Sequence, residues 1–388
     1  MGYMHYQIRK SQPNTTTPPL SAVLACKPEQ INCNASDEPI SDIWERALPL
    51  LAPYHDFFKQ SVRSIEEILP GASSRQIFRL TSESSSAIGI INPNRTENDA
   101  FVNFAKFFRF INLGVPEIYQ YLPNDHLYIE ADLGNVTLAN YLAQQREITG
   151  DPFPLAAETM YKRSLEQLVI FQSASLYGLD DSYFSPSEPN LLPQVLIHEL
   201  KLFKDALVTP LLRSFDSSQL VGEFNNLISI LQKARSDFFV HRDFQARNIM
   251  VKDEDVYLID FQDGCRGPLQ YDVVSLLYQA RTRIPSDARE RLISHYCDEL
   301  SKGEVADSDD FRRHLSAFVI ARMIQVLGVY GNLGLGKGKQ MFIDSIPTAL
   351  STLKIELSSN PSIHLPTLRD CVDQLIEITS PKSTTFDA

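Results

Sequence analysis

Paired cysteines are missing from this chain. No two of Cys26, Cys33, Cys265, Cys297 and Cys371 stand in C-x-x-C spacing, so neither a zinc knuckle nor a disulfide framework is readable, and reduced thiols of a cytoplasmic protein are expected. Positive charge is scarce too. Lys and Arg number 36 against 48 Asp and Glu, a net charge of -12, which argues against a surface that neutralises nucleic-acid phosphates or anionic lipid. A local basic pocket for a small anion stays compatible with that balance. No apolar run follows the charges of MGYMHYQIRK, and Tyr6 stands where a myristoylation signal needs Ser or Thr, so neither secretion nor lipid anchoring is expected. One apolar stretch, Leu315 to Leu333, contains Arg322, Gly328 and Gly331. It fits a buried helix of a soluble protein better than a membrane span.

What is present is an ordinary globular balance: 388 residues, 43% hydrophobic and 22% charged, enough for two or three domains or one large two-lobed one. Residues 1–41 are rich in Asn, Thr, Pro and Ser and read as a disordered tail. Helical patterning follows from Ile43, with VRSIEEIL as a second helical stretch closed by Pro70-Gly71. Two strand-like runs, Gln76–Leu80 and Ala87–Ile91, flank a Ser-rich turn. The aromatic segment FVNFAKFFRF keeps a helical period, so it reads as a buried helix face and not as a base-stacking platform. Two more strands, EIYQYL and HLYIEADLG, follow. From Thr137 the chain is mainly helical, with one interruption over DFFVHRDFQARNIMVKDEDVYLIDFQDG. The switch near Glu130–Gly134 predicts an α+β chain of two lobes, a sheet-bearing N-lobe over 43–131 and a larger, mainly helical C-lobe over 132–380.

That interruption carries the chemistry. His241-Arg242-Asp243-Phe244-Gln245-Ala246-Arg247-Asn248 matches H-R-D-x-x-x-x-N, in which the Asp takes the proton of an attacking hydroxyl and the Asn ligates magnesium. Asp260-Phe261-Gln262-Asp263 follows after an apolar strand. Phosphoryl transfer needs such groups because the protein's task is to position two reactants and neutralise charge. Any one aspartate in so acidic a chain reads as a turn or cap. Three polar ligands beside the strands FFV, NIMV and VYLID do not. His241 reads as a support for the loop.

At these residues the chain resembles the aminoglycoside phosphotransferase and choline kinase-like superfamily. Within it, HRDFQARNIM, LIDFQDGCRGPLQYDVVSLL, IHELKLF, EADLGNVTL and RMIQVLGVYGNLG are most similar to bacterial kinases that phosphorylate N-acetylmuramate and N-acetylglucosamine at the anomeric hydroxyl. The resemblance implies a protein-kinase-like fold and an ATP- and magnesium-dependent kinase of an amino sugar, serving cell-wall sugar recycling. It implies Asp243 as catalytic base with Arg247 beside it, and Asn248 and Asp260 as metal ligands. Ser73, Ser74 and Arg75 would cover the nucleotide phosphates, and Glu130-Ala131-Asp132 would connect the lobes beside the base. Glu199 and Asp263 would contact the sugar.

The sequence departs from the kinase pattern at one point: Ala87-Ile88-Gly89-Ile90-Ile91 lacks the strand lysine that holds the phosphates. Arg75 or Arg79 is expected to supply that charge, and a scaffold that binds nucleotide without turnover remains an alternative. An acidic acceptor pocket would instead favour a choline- or aminoglycoside-type cation. Gly331-Asn332-Leu333-Gly334-Leu335-Gly336-Lys337 imitates a P-loop, but Gly338 replaces the required Ser or Thr and a helix precedes it. A flexible substrate-side loop is expected there.

Overall fold

The computed structural model describes residues 40–69, 75–179 and 194–379. The expected tail, except its last two residues, and the polar end from Ser380 lie outside the described residues, as do Ser73 and Ser74 of the expected covering loop. Helix α1 (Ile40–Phe58) places Ala47, Leu50 and Tyr54 on one face, the spacing of an amphipathic helix, and buries them against a sheet. The sheet holds β1 (Ser64–Ile68), β2 (Gln76–Thr81), β3 (Ser86–Ile91), β4 (Ile118–Leu122) and β5 (Leu127–Ala131), with α2 (Arg95–Phe110) between β3 and β4. All neighbours are antiparallel, in the order β1-β2-β3-β5-β4.

One expectation is corrected here. VRSIEEIL does not continue as helix; its centre is strand β1, paired from Ser64↔Thr81 to Ile68↔Ile77. Five residues are too few to repay helix nucleation, whereas an edge position lets Glu66 and Glu67 reach Arg79 and Arg46 at 3.0 and 2.6 Å.

Strand periodicity sorts β3 between two cores. Ala87 belongs to the cluster under α1, while Ile88 and Ile90 face the main core. Gly89 shares the α1 face, where an added Cβ would lie 2.7 Å from Leu50 Cδ1.

The helical part runs through α3 (Leu138–Thr149), α4 (Leu155–Gln172), α5 (Gln194–Phe203), a π-helical turn over Lys204–Val208, α6 (Thr209–Leu211) and α7 (Ser217–Leu231). Four short strands follow: β6 (Phe238–Val240), β7 (Ile249–Lys252), β8 (Asp255–Leu258) and β9 (Cys265–Gly267). They form two antiparallel ribbons, β6 with β9 and β7 with β8. The chain ends with α8 (Leu269–Leu277), α9 (Ser286–Lys302), α10 (Ser308–Tyr330), α11 (Gln340–Ile343), α12 (Ile346–Ser359) and α13 (Pro366–Thr379).

Helix α10 is long and apolar enough, by length and composition, to cross a membrane. Here it is a core helix, packed against α5, α8 and α12, with residues from Phe311 to Gly328 buried. The segment expected as a flexible glycine loop is instead a π-helical extension of α10 over Gly331–Gly336, with Gly331 and Gly334 buried. The close approach of the Ala206 carbonyl to Gly331, 2.6 Å from an added Cβ, explains its lack of a side chain.

Aromatic side chains of α2 join the two parts. Phe101 stacks on Tyr128 of β5 and on Phe261, with centroids 5.3 and 4.7 Å apart. Phe108 meets Phe171 at 4.7 Å and Phe239 at 5.6 Å. One face of FVNFAKFFRF is therefore buried between sheet and helices.

Candidate active site

The two ribbons bring the H-R-D-x-x-x-x-N loop and the Asp260 loop to one edge. Strand β6, wholly buried, delivers His241 into the core. Its ring packs near Phe171 and Phe244, and Nε2 lies 2.9 Å from the Ile259 carbonyl. A carbonyl only accepts, so Nε2 carries the proton and the ring ties one loop to the other. Asp272, fully buried at the start of α8, accepts the backbone N–H groups of His241 and Arg242 at 2.8 and 3.1 Å. Arg242 has φ 71°, in the left-handed region that residues with a Cβ avoid. The two Asp272 bonds hold it there, so Asp272 positions the catalytic loop.

Asp243 is enclosed by its own loop. Gln245 Nε2 donates to Oδ1 at 2.5 Å, and Arg247 Nη2 and Asn248 Nδ2 donate to Oδ2 at 2.7 and 3.0 Å. Burial pushes the carboxyl up, but the Arg247 guanidinium and neighbouring positive charge outweigh it and hold Asp243 below the usual carboxylate range. It is a carboxylate at neutral pH. Asn248 Nδ2 also donates to the Asp243 carbonyl at 2.9 Å, which fixes the amide and leaves Oδ1 as its acceptor atom.

Asp260 has φ 65° and is 42% exposed. Gln262 Nε2 donates to its Oδ1 at 3.1 Å, and Arg75 Nη1 lies 3.5 Å from the same oxygen. An amide oxygen and a carboxylate on adjoining loops are hard oxygen donors, and that set suits magnesium.

Where the strand lysine is missing, an arginine occupies a comparable place. Ile88 and Ile90 fill the inner face of β3, and the cation nearest Asp260 is Arg75, just before β2. Its Nε donates to Glu97 Oε1 at 2.9 Å, and Nη2 contacts the same oxygen. Glu97 is placed by the N-cap of α2, where the Asn94 side chain accepts the Glu97 N–H. Arg75 thus links the first turn of α2 to Asp260, as the strand lysine and its helix glutamate do in protein kinases. Arg79 does other work. It forms a two-bond pair with Asp132 at 2.8 and 3.1 Å and reaches Glu66, bracing sheet against connector. Asp132 also accepts from Ser86 at 2.5 Å. The Glu130 carboxyl points under the sheet with Oε2 unpartnered, and burial pushes it up to about 8. The Ala131 N–H of the same connector donates to the Glu117 carbonyl at 2.9 Å.

Asp243, Arg247, Asp260, Asp263 and Glu199 all line one cavity of about 870 Å³. Asp263 sits near its polar end, its carboxyl raised by burial. Glu199, on α5, lines the same cavity: it accepts from Gln325 Nε2, and Arg322 Nη1 donates to Gln325 Oε1 at 2.5 Å. Tyr271, Tyr330, Arg146, Arg242 and Arg281 add to the polar lining.

The sequence model of the phosphotransferase enzyme family matches residues 64–307, from β1 to the turn before α10. The chain belongs to that family. Among curated relatives, the N-acetylmuramate/N-acetylglucosamine kinase of Pseudomonas aeruginosa is 24% identical over 76% of this chain and 86% of its own length. The protein of that name from Neisseria meningitidis is 25% identical over 73% of this chain and 82% of its own. Among solved structures, an amicoumacin kinase in complex with AMP-PNP and Ca2+ superposes with TM-score 0.55 at 13% identity, covering 83% of this chain and 97% of that one. A choline kinase from Cryptosporidium parvum gives 0.52 at 12% identity, over 80% and 93%. The two-lobed kinase-like fold and a phosphotransferase acting on a hydroxyl acceptor are thus as expected.

Several residues of this phosphotransferase site escaped the sequence reading: Asp272, Glu97, Arg322 and Gln325. Asp272 had a visible signal, a lone charge inside the apolar run LQYDVVSLL, where a buried carboxylate must have donors. Arg322 had one too, as the cation inside an apolar helix.

The contact between α5 and α10 brings Glu199 to Gln325, and Gly328 permits it. An added Cβ there would lie 2.7 Å from the Phe203 backbone nitrogen, which cannot swing aside. Gly328→Ala is expected to destabilise the protein by about 1–3 kcal/mol and to raise the acceptor KM more than the nucleotide KM. Urea unfolding with paired kinetics checks this; equal KM changes would deny the link.

Burial raises Glu199 to about 7 from an ordinary 4.5. The folded protein therefore keeps a proton that the unfolded chain releases, and stability falls as pH rises through that window. Asp272, raised by burial to about 6, acts in the same direction. The urea midpoint of the wild type should drop between about pH 5 and pH 7, and Glu199→Gln should flatten that decline. Parallel pH profiles for the two proteins would place the Glu199 titration elsewhere.

Proposed function

We propose that this chain is an ATP- and magnesium-dependent kinase that phosphorylates the anomeric hydroxyl of N-acetylmuramate or N-acetylglucosamine, returning cell-wall amino sugars to use in the cytoplasm. One observation carries the reading: Asp243 and Asp260 line one cavity whose remaining polar lining is mostly arginine and tyrosine, and Asn248 stands beside them, its Nδ2 3.0 Å from Asp243 Oδ2. Asn248 Oδ1 and the Asp260 carboxylate would hold magnesium, which neutralises charge on the nucleotide phosphates when bound. Arg75 adds a fixed cation on the same side. Asp243 orients the acceptor hydroxyl and takes its proton. Its partner Arg247 is 64% exposed and is the group an incoming hydroxyl can displace. Glu199 and Gln325 offer an acceptor and a donor to sugar hydroxyls or the N-acetyl group.

The cavity argues against a choline- or aminoglycoside-type acceptor. Four carboxylates, Asp243, Asp260, Asp263 and Glu199, line it, three of them in the loops of the catalytic constellation, while five arginines line the same walls. A cationic acceptor would meet repulsion there. The names of the curated relatives point to amino sugars in the same way. Incubation with Mg-ATP and, separately, N-acetylmuramate, N-acetylglucosamine, choline and an aminoglycoside tests this. ADP release is expected with the two amino sugars alone, and release only with the cations would reverse the assignment.

A further inference from the structure

The amino-sugar reading leaves two arginines of the cavity without a task. Among the described residues neither Arg281 nor Arg322 forms an ion pair, although acids outnumber bases in this chain and Arg46, Arg75, Arg79, Arg247 and Arg291 all have carboxylate partners. Arg281 Nη2 contacts only the Met341 thioether sulfur, at 3.1 Å, and its guanidinium lies 5.5 Å from the Phe342 ring centroid. Both are weak partners for a cation that can take two charge-assisted bonds. Arg322 donates to a neutral amide oxygen of Gln325, and that amide stands between it and Glu199.

The two arginines share a corner. Both are electrostatic neighbours of the Tyr330 hydroxyl, and all three line the cavity that holds Asp243. Two guanidiniums outside any ion pair and a phenol hydroxyl make a receptor for one anionic group, although Arg322 also feels the charges of Glu199 and Asp243.

We propose that Arg281, Arg322 and Tyr330 bind a carboxylate on the acceptor, which in the amino-sugar reading is the lactyl carboxylate of N-acetylmuramate. The inference rests on that reading and deepens it: the corner makes the enzyme prefer the acidic sugar. The lactyl ether sits two ring carbons from the anomeric centre, so one bound sugar can present its anomeric hydroxyl to Asp243 and its carboxylate to the corner. N-acetylglucosamine has no such group and would leave the corner to water.

Arg281 is the residue to change, because it is exposed and bonds none of Asp243, Glu199 or Gln325. Steady-state kinetics with each sugar at saturating Mg-ATP are measured for the wild type, Arg281→Gln and Arg281→Lys. Losing bonds to a charged group should lower kcat/KM for N-acetylmuramate about 10- to 150-fold in Arg281→Gln. N-acetylglucosamine should change less than about threefold, as for an ordinary surface substitution. Arg281→Lys should fall between, since it keeps the charge without the planar fork. Equal losses on both sugars, no loss on N-acetylmuramate, or a wild type that uses N-acetylglucosamine and ignores N-acetylmuramate would overturn the carboxylate corner and leave the amino-sugar reading standing. Turnover of neither sugar by the wild type would overturn that reading, and the corner with it.

Discussion

Asp243→Asn is expected to lower kcat on the acceptor sugar by roughly 10²–10⁴-fold while Mg-ATP still binds. The substitution removes the one carboxylate of the H-R-D-x-x-x-x-N loop, held ionised by Arg247, and leaves in place Asn248 and Asp260, the proposed metal ligands. An Asn side chain also offers only one oxygen. Where Arg247 and Asn248 now donate to Oδ2 and Gln245 to Oδ1, one donor would face an N–H₂ group and turn away. The loop survives that loss, because Asp272 fixes it from behind through the His241 and Arg242 N–H groups. Rapid-mixing turnover, nucleotide titration and a thermal melt on the same preparation separate these effects. Near wild-type turnover would remove Asp243 from the base's role.

The second large effect is expected at Arg75. Its side chain is 10% exposed and touches both Glu97 and Asp260. In Arg75→Ala those two carboxylates lose their shared cation and the nucleotide phosphates lose a fixed positive charge. The KM for Mg-ATP should rise about 10- to 150-fold, the cost of bonds to a charged partner, and the melting temperature should fall. Arg75→Lys should recover part of the nucleotide affinity, because it restores charge but not the fork that spans Glu97 and Asp260. Unchanged nucleotide kinetics in Arg75→Ala, with only the melt altered, would make Arg75 a brace between β2 and α2 and nothing more.

Short strands around polar residues made the catalytic loops legible in the sequence. Asp243, Asn248 and Asp260 sit within a few residues of FFV, NIMV and VYLID, so local pattern alone places them at strand ends. Strands β2 to β5 were legible for the same reason. Strand β1 was not, because SIEEI carries two glutamates in a segment that also fits one helical turn, and only its pairing with β2 decides between them. The replacement of the strand lysine was half visible. Arg75 and Arg79 stand four residues apart in one sequence, and what separates the cation beside Asp260 from the sheet brace is Glu97 against Asp132, two partners brought up by different elements. The acceptor wall was the least legible part. Glu199 was expected there from IHELKLF, but Arg322 and Arg281 come from α10 and the loop after α8, and no local pattern announces that they line the same cavity.

Phosphorus NMR of a reaction containing Mg-ATP and N-acetylmuramate tests the central claim most directly, because it identifies both the acceptor and the atom that receives the phosphate. The wild type should convert the ATP γ-phosphate resonance into one new sugar 1-phosphate resonance that shows coupling to the anomeric proton, in step with ADP, and Asp243→Asn should leave the ATP signals intact over the same interval. ADP accompanied by inorganic phosphate alone, or a phosphate ester at another position formed equally by both proteins, would contradict it.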